Sequence, residues 1–397
     1  MRSFLVLFIG LTILVREGLP AQEAAALVPA GAEPAGGGAD IEGVIREYED
    51  KVRANTRKMI EAKTEAEKDQ YRASVPTVAP YATRVMGIVK AHLGQAETAR
   101  GVSWLVTQAA GFPEGQEALG MLGATYAASA GIAEAVKALE YHPLAMAEPI
   151  LAAVREKNPN TTEKAAATYA LGVQYFRIFE TASSGAAPPA PNEECCGNDG
   201  TAEKAAAPAP APALSPEAAA AKTKAMGYFQ EVTTVYANAV IQGFPLAEQA
   251  ARMMFEMANL SVGAVAPEIE GKDLEGNAFK LSDFRGKHVM LIFWGGWCHA
   301  CHGVIPQVNQ LAEDMKDKPV AVLGINTDIP EEARVAYAQY QVSFRNWSDG
   351  TTSGPITTMF NLRNFPTIYL IDPQGVIVLK NTSVDAVREK LGGKKAG

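Results

Sequence analysis

Sulfur and imidazole are scarce in this chain: its 397 residues include only four cysteines and five histidines. Four cysteines cannot staple a chain of this length, so a disulfide framework is excluded and the fold must rest on buried apolar surface. Positive charge is also in short supply, with 36 Lys and Arg against 44 Asp and Glu and a formal net charge of −8. A phosphate-binding domain would need a basic stripe, and none is present, so nucleic acid is set aside as a partner. The apolar run Phe4–Val15 is too short to cross about 30 Å of hydrocarbon as a helix, which excludes a membrane channel. What is present is a 48% hydrophobic composition, suited to globular structure, and a length that allows about two or three domains.

The N-terminus sets the expected compartment. Arg2, the Phe4–Val15 run and small residues from Ala21 into Ala24–Ala26 have the layout of a secretory signal peptide over residues 1–21. Leu19, at the −3 position for a cut after Ala21, is larger than such sites favour, and an uncleaved membrane anchor is the alternative. Export to a periplasmic or other extracytoplasmic space is the expectation, and it permits disulfide chemistry.

Residues 22–39, with Pro29, Pro34 and Gly36–Gly38, read as a flexible leader. Residues 40–182 are patterned as helices: Ile41, Val44, Ile45, Tyr48 and Val52 form one apolar stripe. Breaks fall at Pro76, Pro80, Gly111–Pro113, Gly131, His142–Pro143 and Asn158–Pro159. Thr161 or Thr162 is expected to cap the helix that carries Tyr169, Tyr175, Phe176 and Phe179. Residues 183–216, with Pro208-Ala-Pro210-Ala-Pro212, bury little apolar surface and read as an extended linker or insertion. Residues 217–261 resume the helical pattern as a hairpin that completes the first domain. Met226, Phe229, Val232, Tyr236 and Val240 share its first face, and Leu246–Asn259 follows. These Ala-rich aromatic helix pairs, lacking a strict period of about 34 residues, predict a solenoid-like α-helical domain whose aromatic stripes are core.

Residues 262–397 differ in kind. Glu275-Gly276-Asn277 between short strand-like runs predicts a hairpin. His288–Trp294 is continuously apolar, as a strand buried on both faces of a parallel sheet would be. A helix is expected from the Cys298 region to about Asp317, then a buried strand over Val320–Thr327 and a helix over Pro330–Gln341 with proline in its first turn. Thr367–Ile371 and Val376–Lys380 flank the turn Asp372-Pro373-Gln374-Gly375, and Val384–Leu391 closes the chain as a short helix. This succession predicts a layered α/β domain.

Trp297-Cys298-His299-Ala300-Cys301 falls between the buried strand and the helix. Cys298 would then occupy a helix N-terminus, where unpaired backbone N–H groups and the helix dipole favour a thiolate. Cys301, one turn on, is close enough to attack a mixed disulfide formed by Cys298, and thiol–disulfide exchange of this kind needs no cofactor. Around these cysteines the chain resembles the TlpA/ResA-like thiol-disulfide oxidoreductases of the thioredoxin superfamily. The matching pieces are Gly263-Ala-Val-Ala-Pro267-Glu268, Leu281-Ser-Asp-Phe-Arg-Gly286-Lys287, Phe293-Trp294-Gly-Gly-Trp297-Cys298-His-Ala-Cys301 with Pro306, and Phe365-Pro366-Thr367-Ile-Tyr-Leu-Ile-Asp372. Asp349-Gly350 through Gly354-Pro355-Ile356 is similar to a segment of bacterial members with long helical N-terminal extensions. The resemblance implies a thioredoxin fold, with Cys298 as nucleophile, Cys301 as resolving thiol and Pro366 as the cis-proline facing the pair. It also implies that Phe365 borders the substrate groove and Trp297 supports the motif. No cofactor or metal is implied.

Two departures bear on proton transfer. Many relatives carry an acidic residue or Asn six positions before the first cysteine, where this chain has Ile292, and ResA-like members carry Glu three positions after the second, where it has Val304. A buried carboxylate can relay the resolving thiol's proton; in its place His299 or His302 could serve, and a protonated His299 would stabilise the Cys298 thiolate. Other readings stay open. The pair could be a structural disulfide, or Cys298-x-x-Cys301-His302 could attach a c-type haem. Zinc fails because four ligands within five consecutive residues cannot close around one tetrahedral ion. Peroxidase chemistry lacks an upstream Pro-x-x-x-Thr-x-x-Cys segment. Cys195-Cys196 in the linker reads as incidental, with an electron relay or a metal site as alternatives. The expected activity is disulfide exchange, more often reduction, on exported protein substrates, with electrons supplied by a separate donor. The rival is a scaffold that recruits a protein partner through the helical domain.

Overall fold

The structure is a computed structural model that describes residues 40–184 and 214–392. The expected signal peptide, the leader and nearly all of the Pro/Ala-rich segment, Cys195 and Cys196 included, lie outside the described residues. The first part of the chain is helical: α1 Ile41–Glu61, α2 Glu65–Ala73, α3 Ala79–Ala91, α4 Ala99–Gln108, α5 Pro113–Ala124, α6 Ala133–Ala138, α7 Leu144–Lys157 and α8 Thr161–Ser184. After the undescribed segment come α9 Pro216–Thr234, a minimal hairpin of β1 Val240–Ile241 and β2 Phe244–Pro245, and α10 Leu246–Asn259.

α8 organises this half. It packs against α6, α7, α9 and α10, and its residues Ala165, Tyr169, Leu171, Phe176 and Phe179 are all buried. Residues 165–176 of α8 are buried all round the helix, and a helix stretch buried on every side must be surrounded by others, which is what four neighbours achieve. α9 comes so close that a Cβ on Gly172 would lie 2.6 Å from the Phe229 ring, and full burial of Phe229 contributes about 2–3 kcal/mol. Tyr169, Tyr175, Phe176 and Phe179 join the core as the stripe predicts. Two expectations need correction. Helix α8 begins at Thr161, so neither Thr161 nor Thr162 precedes it as a cap. Val240 is not on the α9 face: the helix ends at Thr234, and Val240 pairs with Pro245 in the β1–β2 hairpin, whose turn has Gly243 at φ 81°.

The remainder is an α/β layer. A hairpin of β3 Glu270–Lys272 and β4 Ala278–Lys280 turns through Gly276 at φ 87°, as the Glu-Gly-Asn signal predicts. Next come β5 His288–Trp294, α11 His299–Asp314, β6 Val320–Asn326, α12 Pro330–Tyr340, β7 Arg345–Ser348, α13 Pro355–Met359, β8 Thr367–Ile371, β9 Ile377–Lys380 and α14 Val384–Lys390. The main sheet has the order β7-β6-β5-β8-β9. β5 is central: Val289, Leu291 and Phe293 enter one apolar core, and Met290, Ile292 and Trp294 the other. It is parallel to β6 but antiparallel to β8, so the sheet is mixed rather than all parallel. Burial on both faces, which makes the run continuously apolar, does not depend on strand direction.

The two halves meet through charge. Glu256 on α10 is buried and takes hydrogen bonds from Asn361 Nδ2 at 2.7 Å and Lys380 Nζ at 2.7 Å, and it also pairs with Arg363. Lys380 pairs with Glu180 of α8 as well. The described residues from Ile41 onward pack as one unit.

Candidate active site

β5 runs out at Trp294, and the chain crosses Gly295-Gly296-Trp297 before α11 starts. Cys298 is the residue that caps α11, and its Sγ accepts a hydrogen bond from the Cys301 N–H at 3.2 Å. Cys298 and Cys301 form a disulfide with Cα atoms 5.3 Å apart. They differ in access: Cys298 is 5% exposed and Cys301 0%. The first turn of α11 carries no acidic residue, so nothing there opposes the helix dipole's preference for a thiolate at Cys298.

The loop before the cysteines is pinned from several sides. The Gly296 N–H donates to Asp328 Oδ2 at 2.7 Å, and His302 Nε2 meets the Gly296 carbonyl at 2.8 Å. Trp297 Nε1 donates to Thr327 Oγ1 at 3.2 Å. Asn326, Thr327 and Asp328, at the end of β6, are all buried; Asn326 Nδ2 donates to the same Asp328 oxygen at 2.8 Å. Gly296 itself lies against α12, where an added Cβ would come within 2.8 Å of the Ala336 methyl. Only glycine fits without displacing the loop.

On the far side, the bond Phe365–Pro366 is cis. Pro366 leads directly into β8, where Thr367 is registered with Phe293 of β5, so the proline loop and the cysteine loop emerge at the same sheet edge. The Trp297 and Phe365 rings meet edge to face with centroids 5.2 Å apart, and Trp297 stays 53% exposed. The residues that the sequence singles out therefore converge: an exposed indole, a half-buried aromatic, a cis-proline and a cysteine pair of unequal access. His299 is exposed, with its ring 5.4 Å from that of His302, while His302 stacks on Tyr340 at 4.9 Å.

A model of the AhpC/TSA family matches residues 262–380. Over 135 residues the chain is 33% identical to the thiol-disulfide oxidoreductase ResA of Bacillus cereus, spanning 34% of this chain and 76% of that protein. The chain belongs to the TlpA/ResA-like branch of the thioredoxin superfamily. It is a thiol-disulfide oxidoreductase. It is likewise 33% identical over 119 residues to the thioredoxin-like protein YneN of Bacillus subtilis, covering 29% of this chain and 68% of that one. Among solved structures, the thioredoxin domain of a thiol-disulfide oxidoreductase from Bacteroides vulgatus is 30% identical, covers 34% of this chain and 97% of that chain, and aligns with a TM-score of 0.32.

Within this TlpA/ResA-like site the two departures have concrete surroundings. Ile292 is fully buried in β5, and Val304 packs half-buried beside the cysteines on α11. The carboxylate that reaches the motif is instead Asp328, through the Gly296 N–H. Sequence reading passes over Asp328, although a polar triplet closing a buried strand is the available signal. Haem attachment does not fit: Cys301 is wholly buried, and His302 Nε2, the nitrogen an axial ligand would use, is engaged by Gly296.

Proposed function

We propose that the protein is an extracytoplasmic reductase of disulfides in exported proteins, with Cys298 as nucleophile, Cys301 as resolving thiol and Pro366, flanked by Phe365, presenting the edge along which the substrate lies. The observation that carries this reading is the unequal access of the two sulfurs at the start of α11. An incoming disulfide can reach Cys298, while Cys301 waits behind it. In the reduced enzyme the Cys298 thiolate attacks one substrate sulfur. The substrate S–S bond breaks, a mixed disulfide forms, and the departing sulfur leaves as a thiolate that takes up a proton. Cys301, having lost its proton, attacks Cys298 Sγ, restores the Cys298–Cys301 bond and releases the second substrate thiolate, which is protonated in turn. Two electrons pass from the dithiol to the substrate, and a separate dithiol donor returns them by the same exchange.

The extracytoplasmic assignment rests on the signal-peptide layout of residues 1–21 and on the redox conditions that disulfide substrates need. No helix among the described residues is long and apolar enough to cross a membrane. We take residues 40–182 with 217–261 as the helical domain and 262–397 as the redox domain. The first experiment is an equilibrium titration in glutathione and dithiothreitol buffers, followed by Trp297 fluorescence. A reversible transition with a midpoint near about −270 mV, lost in Cys298→Ser, supports a reductase; a midpoint near about −120 mV supports an oxidase instead. A flat response across that window removes the proposal.

A further inference from the structure

Between the helical half and the β8–β9 side of the sheet lies a cleft of about 530 Å³. Its lining reaches Asn364 and Thr367, the residues on either side of the Phe365–Pro366 pair. Neither Phe365 nor Pro366 lines it, but the residues on both sides of them do, so the cleft lies next to the cis-proline loop. Among the described residues that line the cleft, five are Lys or Arg and three are Glu. Each of the three carboxylates has a cationic partner, although Glu140 Oε2 is buried with no hydrogen-bond partner. Glu256 and Glu180 hold Lys380, Glu256 also holds Arg363, and Glu140 meets Lys137 at 3.3 Å. Arg177 of α8 donates only to the main-chain oxygen of Glu140 at 2.9 Å, and Arg252 of α10 comes no nearer than 3.9 Å to Glu248. Both arginines are exposed and both come from the helical half. Two guanidinium groups with little local compensation, on the wall of a cleft that opens beside the cis-proline, suit a carboxylate, which guanidinium binds in a two-pronged fashion.

We infer that the cleft is a specificity subsite, in which Arg177 and Arg252 receive an Asp or Glu side chain of the substrate protein lying a few residues from its target cysteine. This rests on the disulfide-exchange reading of Cys298 and Cys301 and gives the helical half its part in that reaction: it supplies the wall that selects the substrate. The charge on this wall attracts acidic segments and disfavours basic ones.

The test uses the full chain and pairs of disulfide-linked fluorescent peptides that are identical except for Glu or Gln placed two to five residues from the cysteine. The expected result is an approximately tenfold lower KM for the Glu peptide at its best position, with kcat unchanged. The Arg177→Gln/Arg252→Gln double variant should lose that preference while keeping the wild-type rate on the Gln peptide, which also shows that the variant is folded. Arg252→Glu should shift the preference towards a Lys peptide. Equal KM for the two peptides in the wild type, or an unchanged preference in the double variant, overturns the inference and leaves the redox function standing. Turnover of neither peptide removes the redox function, and the subsite with it.

Discussion

Glu256 accepts a hydrogen bond from Asn361 at 2.7 Å, so a side chain of helix α10 holds the loop that ends in the cis Phe365–Pro366 bond. The same carboxylate neutralises Lys380, whose side chain is 7% exposed, and Arg363. Removing one partner of a buried ion pair leaves the other charge stranded, at a cost of about 3–5 kcal/mol. Glu256→Ala should fall at the lower end of that range, because Lys380 keeps Glu180. Chemical denaturation measures the loss. A slower turnover that persists below the denaturation midpoint would show that the anchor also sets the geometry of the proline loop, and wild-type turnover would limit Glu256 to stability.

The unequal access of Cys298 and Cys301 gives the two serine variants different outcomes. Cys298→Ser should reduce insulin-disulfide reduction to the uncatalysed background, because the buried Cys301 cannot meet a substrate. Cys301→Ser should instead accumulate mixed disulfides at Cys298, visible as adducts on non-reducing gels that dithiothreitol dissolves. Adducts on Cys301 in the Cys298→Ser protein would reverse the assignment. If partner binding and phenotype survive Cys298→Ala intact, the scaffold reading regains its place.

The fold was legible wherever burial is uniform. β5 reads as a strand because both of its faces are core, and α10 falls at Leu246–Asn259 as its spacing predicts. The cysteine loop was legible through its neighbours Trp297 and Pro306, and Pro366 through family likeness alone, since nothing in residue propensity favours a cis bond. β7 is not legible because three of its four residues are polar and the polar Asn346 is buried beside Trp347, where it accepts the Trp294 indole N–H at 2.8 Å. Asp328 and Glu256 are illegible in the sequence for a related reason. Each looks like an ordinary surface carboxylate until a distant segment arrives, Gly296 in one case and the 361–380 region in the other. Val240 shows the opposite failure, a helical spacing that persists past the end of its helix.

Gly296 is held from three sides in the cysteine loop. Its N–H is held by Asp328, its carbonyl by His302, and a Cβ would press to 2.8 Å from Ala336. Gly296→Ala should cost about 1–3 kcal/mol, the usual range for overpacking a filled site. It should also shift the redox midpoint, because Cys298 follows two residues later. An Ala336→Gly second change makes room for the methyl and should restore both. Failure of that rescue would assign the strain to the Asp328 carboxylate, whose Oδ2 would lie 3.4 Å from the added Cβ.

Asp314, in the last turn of the helix that carries both cysteines, pairs with Arg388 of α14. The hydrogen bond from Arg388, together with one from Gln310, holds its carboxyl below the ordinary value of 3.8. A carboxyl whose folded value is depressed adds stability that is fully present above the unfolded value and is lost as pH falls through the folded one. The pair should therefore help the redox domain from neutral pH down to about pH 4 and cease to do so at lower pH. Because Asp314 is exposed, the gain should also shrink with added salt. Asp314→Asn should lower the thermal midpoint at pH 7, and the gap to wild type should close below pH 3.8 and in molar sodium chloride. A gap that is independent of both pH and salt would assign the effect to packing of the Arg388 stem, which is itself buried between α11 and α14.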